Sequence, residues 1–600
     1  MSICFGISAF GFSQSVGIGT IVPNGSAQLD ITSTSKGILI PRMNTAAITT
    51  ISNPAKGLMV YDSSKNQLMV NMGTAAIPNW QTIVSKSGWN LMGNSGINPG
   101  TNFIGTSDVA PLIIKVNNVK SGYVDTGTNN TGIGFRTLFA ITTGTDNVAV
   151  GYKALVGNSS GGANTGVGSN ALLGNTTGSY NAASGIGSLA QNSTGNLNAA
   201  FGALSLNRNI MGNQNTASGT SALYWNTASN NTAVGFESLN HNTTGTGNSA
   251  LGTSAMWNND IGSGNTASGL NALYFNNLGN DNTAIGSYAA YHTKSYSNVA
   301  IGVGALYQNT DRSNLVAIGD SSLFNNGLGA GVFSPEAIYN TAIGSKALFS
   351  NTTGSQNTAL GNQTLFANTW GIRNTALGSF SLFNTTGSDD NTSVGYAAGA
   401  RYDMGYNNTM IGAASDVIAA GMYNCVGLGY IATCTASSQA RIGNSSTISI
   451  GGYGDWTNFS DGRYKKNIQE NVKGIEFIMK LHPVTYQLDV QGINNKLNES
   501  RGREMDAQSK QAIADKEKMI FSGFVAQEVE KAAKESGYDF SGVDAPKNEN
   551  DFYGLRYGDF VVPLVKASQE QQVIINDLQK KVQLLEDQVK LLLQASTHKN

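Results

Sequence analysis

The sequence predicts a mainly β fold: a long fibre of parallel β-coils (a β-roll or β-helix), then a small α+β domain and a C-terminal coiled-coil helix. Three observations carry this reading. Asn-Thr-Ala-x-Gly and its close variants return about every 17 residues from Asn130 to Asn424, a period that stacked structural repeats explain. Within the repeats no long 3.6-residue apolar stretch occurs, and Gly and β-branched residues are too frequent for a helical solenoid. Composition then changes sharply. Of 600 residues 73 are Gly and only 12% are charged, yet residues 461–600 hold 41 of the charged side chains, which places a boundary near Ser460. The expected segments are 1–14, 15–120, 121–459, 460–567 and 568–600.

Residues 1–14 are apolar and rich in small side chains, as in the h-region of a secretory leader, although no Lys or Arg precedes them. Residues 15–120 read as an N-terminal β-rich attachment region. Val16-Gly-Ile-Gly-Thr20, Lys36-Gly-Ile-Leu-Ile-Pro-Arg42 and Lys56-Gly-Leu-Met-Val-Tyr61 are short apolar alternations between Gly, Asn and Pro, the pattern of small strands. They resemble the start of secreted, fibre-like proteins of Bacteroidota, which implies attachment of the fibre to a cell or particle.

In residues 121–459 each repeat has two halves. Its leading Asn falls at Asn130, Asn147, Asn164 and onward through Asn298, Asn314, Asn340, Asn408 and Asn424. An apolar residue precedes Gly at Val150, Val234, Ile285 and Leu360, and the expectation is that this side chain points inward while Gly permits a bend. A second apolar pair, Ala154-Leu155 or Ala171-Leu172, supplies the other wall. Asn-Thr-Thr-Gly at Asn175, Asn242, Asn351 and Asn384 is expected to turn through left-handed conformations. Roughly nine extra residues around Gly327 to Pro335 break the beat once and read as a surface loop. At a strand spacing of about 4.7–4.9 Å, eighteen coils extend roughly 85 Å. Each coil buries little alone, so neighbouring coils and neighbouring chains must complete the core. The array, with cores such as Asn298-Val-Ala-Ile-Gly302, resembles the head repeats of trimeric autotransporter adhesins and the β-structured shafts of phage tail fibres. The period differs somewhat from that of the adhesin heads, so the likeness is architectural. Asn and Thr read as turn and ladder residues, with an ice-binding face as the minor alternative.

Other chemistries find little support. Cys4, Cys425 and Cys434 and the scattered His241, His292, His482 and His598 make no metal-ligand pattern, and no cofactor is implied; Cys425 and Cys434 read as a bridge or as two buried thiols. A net charge of −1 without Lys/Arg clusters gives no footprint for nucleic acid. No stretch of about 20 apolar residues occurs to span a membrane as a helix. A polysaccharide-degrading spike would need paired carboxylates; the candidates are Asp389 with Asp390, and the isolated Glu237, Glu336 and Asp416. Trp257, Trp370 and the insertion near Phe333 are candidate contacts for a ligand, with packing as the plainer reading.

Four blocks follow the array: Ser460-Asp-Gly-Arg-Tyr-Lys-Lys-Asn-Ile468, Leu481-His-Pro-Val-Thr-Tyr486, Ser522-Gly-Phe-Val-Ala-Gln-Glu-Val-Glu530 and Leu555-Arg-Tyr-Gly-Asp-Phe-Val-Val-Pro-Leu564. In this order, at the end of a β-fibre, they resemble the intramolecular chaperone domain of endosialidases and other tail spikes, a self-cleaving Ser/Lys peptidase family. The segment between Asp489 and Phe521 reads as an inserted, partly helical excursion. The resemblance implies that Ser460 is the nucleophile and Lys465 its base, that Asp461 and Arg463 orient the loop, and that the bond cut is Phe459–Ser460. The chemistry agrees, since a Ser hydroxyl needs a base to take its proton and a desolvated Lys can be that base. No external substrate is expected.

From Ser568 the chain reads as a helix whose Ile575, Leu578, Val582, Leu585, Val589 and Leu592 alternate three and four apart, the seam of a coiled coil. Ile or Val alternating with Leu favours two strands, whereas the resembled chaperones and fibres are trimers; a homotrimer is expected, with a helix folded back on its own domain as the alternative. The sequence thus points to a trimeric fibre, secreted, at a cell surface or on a virion tail, with a cell-surface glycan or protein as ligand. An uncleaved fibre with a permanent trimerisation cap is the alternative.

Overall fold

A computed structural model describes residues 15–83, 93, 95–98, 100–331, 336–502 and 504–597. Residues 1–14, expected to be a leader and including Cys4, lie outside the described residues, as do Phe333 and His598. The chain divides into two units, residues 1–105 and 106–600.

In the first unit Val16–Ile18 pairs in parallel with Leu29–Ile31. A four-stranded sheet follows, from Arg42–Met43, Met59–Asp62, Gln67–Asn71 and Trp80–Thr82. Its small core is Ile48, Val60 and Met69, with Trp80 packed against them. The buried Asn71 carries the local turns: its Nδ2 donates to the Pro54 carbonyl at 2.8 Å and its Oδ1 accepts from Asn79 N at 2.8 Å. Ile18, Ile21, Val22, Ile38 and Leu39 are exposed on the single chain.

The second unit opens with the antiparallel hairpin Leu112–Val116 and Val119–Asp125, which pairs onto the first coil strand, Asn130–Ile133. From there parallel three-residue strands stack in register, Val148–Val150 on Thr165–Val167 and so on to Ala440–Ile442. A parallel β-solenoid is therefore what the repeats build. The extra residues after Leu323 are accommodated without loss of pairing, because Val316 still meets Thr341 and Ile318 meets Ile343.

The strand side chains face the opposite way from the expectation. Ala149, Ala233, Ala284 and Ala359 are fully buried, whereas Val234, Ile285 and Leu360 are 37–41% exposed and Val150 is half-buried. A three-residue strand turns its middle side chain inward and its flanks outward. At most coils the interior has room for little more than a methyl group, a Cβ placed on Gly166 lying 3.4 Å from Leu155 Cγ; Met410 fits the same position where its neighbour is Gly427. The Ala-Leu wall is inside as expected, with Ala154, Leu155, Ala171 and Leu172 all buried.

The turns also differ. None of Asn175, Asn242, Asn351 and Asn384 is left-handed. The left-handed positions include the residue ahead of the leading Asn, such as Tyr180 (φ 60°) and Leu197 (φ 59°), the inward Leu, such as Leu172 (φ 52°), and the residue two before it, such as Asn170 (φ 59°). Asn175, Asn242 and Asn351 are instead buried, forming one of two amide ladders. Asn164 Nδ2 donates to Asn147 Oδ1 at 3.1 Å and to Gly178 O at 2.8 Å, while Asn175 Nδ2 donates to Asn158 Oδ1 and the same Gly178 O, each at 2.8 Å. Most coils thus hand their amides to the next, which satisfies polar groups that burial would otherwise leave costly. In two coils the ladder site is one residue later than the leading Asn: Leu315 and Cys425 are buried there and donate their backbone N–H to Asn298 and Asn408 Oδ1, while Asn314 and Asn424 are exposed and left-handed. Asn384 is likewise exposed and Thr385 buried.

Two further stripes run along the stack. Glycine after each strand is obligatory, since Gly151 has φ +129° and a Cβ there would sit 2.6 Å from Gly168 O. Beside the Leu wall, rings from Trp257 through Tyr274, Tyr291, Tyr307, Phe324, Phe349 and Phe366 to Phe383 stack with centroids 5.0–5.4 Å apart. Trp257 is therefore a packing residue, its faces covered by neighbours; Trp370 is 59% exposed.

Past the solenoid the domain core is Phe477, Val529, Phe540 and Phe560, Val529 coming from the helix Ala526–Glu535; a two-stranded antiparallel sheet pairs Val484–Tyr486 with Phe521–Gly523. Helices Val490–Leu497 and Ala507–Glu517 fill the excursion between those strands. The last helix, Val561–Thr597, is tied at its start, where Glu570 accepts from Ile475 N at 2.8 Å. It does not fold back: residues 571–597 are exposed, including Ile575, Leu578, Val582, Leu585, Val589 and Leu592. Among the described residues no helix is long and apolar enough to cross a membrane.

Candidate active site

Between the last coil and the C-terminal domain lies an exposed connector, residues 448–460. At its end Asp461 caps a single 3-10 turn, Gly462–Tyr464, accepting from Arg463 N at 2.9 Å. The Arg463 guanidinium grips the same carboxylate, with Nε 2.9 Å from Oδ2. That ion pair holds the Asp461 carboxyl below the ordinary range. The turn reverses the chain, so that Lys465 Nζ comes to 2.8 Å from Ser460 Oγ. Phe459 is 82% exposed, its ring 5.7 Å from that of Tyr464.

The four residues expected here are therefore together: a hydroxyl, an amine in hydrogen-bond contact with it, and an ion pair that braces the turn. A neutral amine in this place could accept the hydroxyl proton; an ammonium can only donate. Ser460 and Lys465 are both exposed on the single chain, so the dry surroundings that favour a neutral Lys are not supplied by this chain alone.

The other candidate groups have structural partners. Asp390 forms a two-pronged pair with Arg373, at 2.6 and 2.7 Å, and Asp389 Oδ1 accepts from Ile372 N at 2.8 Å. Glu237 accepts from Trp257 Nε1 at 3.3 Å. Asp416 is buried beside Arg501. Cys425 and Cys434 are buried free thiols.

One group of residues had no signal in the sequence. Asp551 is buried against the penultimate coil, accepting from Thr435 Oγ1 at 2.5 Å and Gln439 Nε2 at 3.1 Å. Glu499 and Lys516, from the excursion, bond to Ser445. More than fifty residues separate these partners, so neither spacing nor motif could reveal them.

Comparison with known proteins adds two findings. Residues 17–99 match the family model described as a phage tail like trimerisation region, and residues 460–538 match that described as the chaperone of endosialidase. No curated protein and no solved structure matches the chain. A trimerisation region thus stands ahead of the coils and a region similar to an endosialidase chaperone behind them, the arrangement of a trimeric, tail-fibre-like protein.

Proposed function

We propose that this chain forms a homotrimeric fibre, displayed at a cell surface, secreted or carried on a virion tail, whose C-terminal domain aligns three chains and then severs Phe459–Ser460. The observation that carries this reading is the Ser460–Lys465 contact of 2.8 Å, at the first residue of the chaperone match.

Lys465 takes the hydroxyl proton as Ser460 Oγ attacks the carbonyl carbon of Phe459. The C–N bond breaks, the proton passes to the departing Ser460 amine, and an ester joins Phe459 to Ser460 Oγ. Water then hydrolyses the ester, leaving a Phe459 carboxylate and a fragment that begins at Ser460. One turnover completes the reaction.

Trimer assembly has support along the chain. The outward strand positions Val167, Phe201, Leu251, Ile285, Leu360 and Leu377 form a long exposed apolar stripe, as do the helix seam residues, and a row of this extent on a single chain calls for partners. Three chains brought together would also dry the Ser460–Lys465 pair. Alignment matters because parallel strand pairing is slow and a slipped register would misplace every coil. The outer surface of the fibre would then serve adhesion to a cell-surface glycan or protein.

The test is the intact mass of the wild type beside Ser460→Ala and Lys465→Ala. A wild type that resolves into two fragments meeting at Phe459–Ser460, with both variants whole, supports the reading. Three intact chains under folding conditions would leave a fibre with a permanent trimerisation cap.

A further inference from the structure

The connector that carries Phe459 and Ser460 makes no part of the attachment between the C-terminal domain and the coils. Its residues 448–460 are exposed. The attachment is made elsewhere, by side chains of the domain that reach the open end of the solenoid. Lys516 Nζ donates to the carbonyls of Ser445 and Thr447 at 2.6 and 2.7 Å. Glu499 accepts from Ser445 N at 3.0 Å and from its hydroxyl. Asn548 Nδ2 donates to Thr435 O at 2.9 Å. Asp551, 4% exposed, takes Thr435 and Gln439 and lies 3.6 Å from the Arg441 guanidinium. On the other side Arg501 pairs with the buried Asp416 and donates to Ala414 O, and Arg401 donates to Asn498 O at 2.7 Å.

Several of these partners are backbone groups of the last coils. A solenoid end presents unpaired N–H and C=O groups and an open core, and repeat arrays need a cap there. The excursion between Asp489 and Phe521 supplies much of that cap. Its Glu499 is 3% exposed and also takes Asn494 Nδ2 at 3.0 Å, so the docked surface is pre-formed within the domain.

We infer that the C-terminal domain is a non-covalent end cap that stays seated on the last coils after the connector is severed, held by Asp551, Glu499, Lys516 and Arg501. The occupant of the solenoid end is this chain's own residues 489–553. Scission at Phe459–Ser460 removes none of these bonds, since every one joins residues before 448 to residues after 489. Cleavage therefore changes the tether and not the seat. The inference builds on the proposed cleavage but does not require it, because any cut in the connector poses the same question.

The experiment uses the full chain with Ser460→Ala, to silence self-cleavage, and a recognition sequence for a site-specific endoprotease inserted after Gly452. After complete cutting at neutral pH, the two fragments are expected to co-elute in size exclusion and to separate only under denaturing conditions. Adding Asp551→Asn with Glu499→Gln is expected to speed loss of the cap about tenfold or more; if that pair fails to fold, Lys516→Ala provides the same comparison. A cap fragment that leaves as soon as the connector is cut would overturn the inference. Retention that neither Asp551→Asn with Glu499→Gln nor Lys516→Ala weakens would overturn it too, since another attachment would then hold the fragment. Because the added protease makes the cut, failure of the Ser460 chemistry leaves the result unaffected.

Discussion

Lys465 Nζ lies 2.8 Å from Ser460 Oγ because one Asp461-capped turn folds the five-residue interval back on itself. Proximity of this kind is only half of a catalytic dyad. The amine must also lose its proton, and on the single chain it stands in solvent.

Lys465→Arg separates the two requirements. It keeps a positive group near Ser460 but cannot become a neutral base, since guanidinium stays protonated in proteins. Cleavage should fall by about 10²-fold or more, with trimer assembly unchanged. A time course on denaturing gels beside sedimentation of the uncut variant reads both. A variant that cleaves at the wild-type rate would show that Lys465 is not the base.

If drying of the pair comes from assembly, cleavage should fail in chains that cannot trimerise. Leu578→Asp with Leu585→Asp places charges in the exposed helix seam without touching the domain core, which is built around Phe477, Val529 and Phe540. The expected outcome is a smaller species in sedimentation and an uncut chain. Full cleavage in a demonstrably monomeric variant would sever the link between assembly and chemistry.

Much of this architecture was legible because the repeat is strict. A 17-residue beat implies stacking whatever the side chains do, and Ser460 with Lys465 sit in a short motif where local spacing is informative. Facing was harder. Val150, Ile285 and Leu360 read as core because they are the more apolar residues, yet the interior is so narrow that Ala149, Ala284 and Ala359 take it. Register failed by one at Asn314 and Asn424, where Leu315 and Cys425 occupy the ladder. The docking of Asp551 on Thr435 spans 116 residues, and long-range pairing of that kind leaves no periodic trace.

The ladder itself predicts a contrast between two asparagines. Asn265 is buried, with its amide on Asn248 Oδ1 and Gly279 O and its Oδ1 on Asn282 N. Asn265→Ala strands those partners in the interior and should cost about 2–4 kcal/mol. Asn314 is exposed with φ 60°, so Asn314→Gly should change stability by less than about 0.5 kcal/mol. Denaturant midpoints of the two variants compare them directly. Equal losses would mean that the buried amide ladder is not what holds the coils.

Asp416 gives the junction a pH dependence whose sign is fixed. Burial raises its carboxyl to about 6, against the opposing pull of Arg501 and the N–H groups of Val417 and Arg401. Its value in the unfolded chain is near the ordinary 3.8. Between these values the folded chain keeps a proton that the unfolded chain releases, so stability falls as pH rises from about 4 to about 6 and levels off above. The span corresponds to something on the order of 3 kcal/mol. Asp551 acts in the other direction and in another window: although burial opposes it, hydrogen bonds from Thr435 and Gln439 hold its carboxyl at about 2. Its contribution is therefore complete above the unfolded value and is lost only as pH drops from about 4 toward 2. The two groups therefore act on the junction in separate pH windows and with opposite sign. Asp416→Asn should flatten the curve between pH 4 and 6 and leave the acid limb in place, as followed by hydrogen exchange of the last coils. Asp551→Asn should do the reverse, and a wild-type junction whose stability does not fall between pH 4 and 6 would show that Asp416 is ionised throughout.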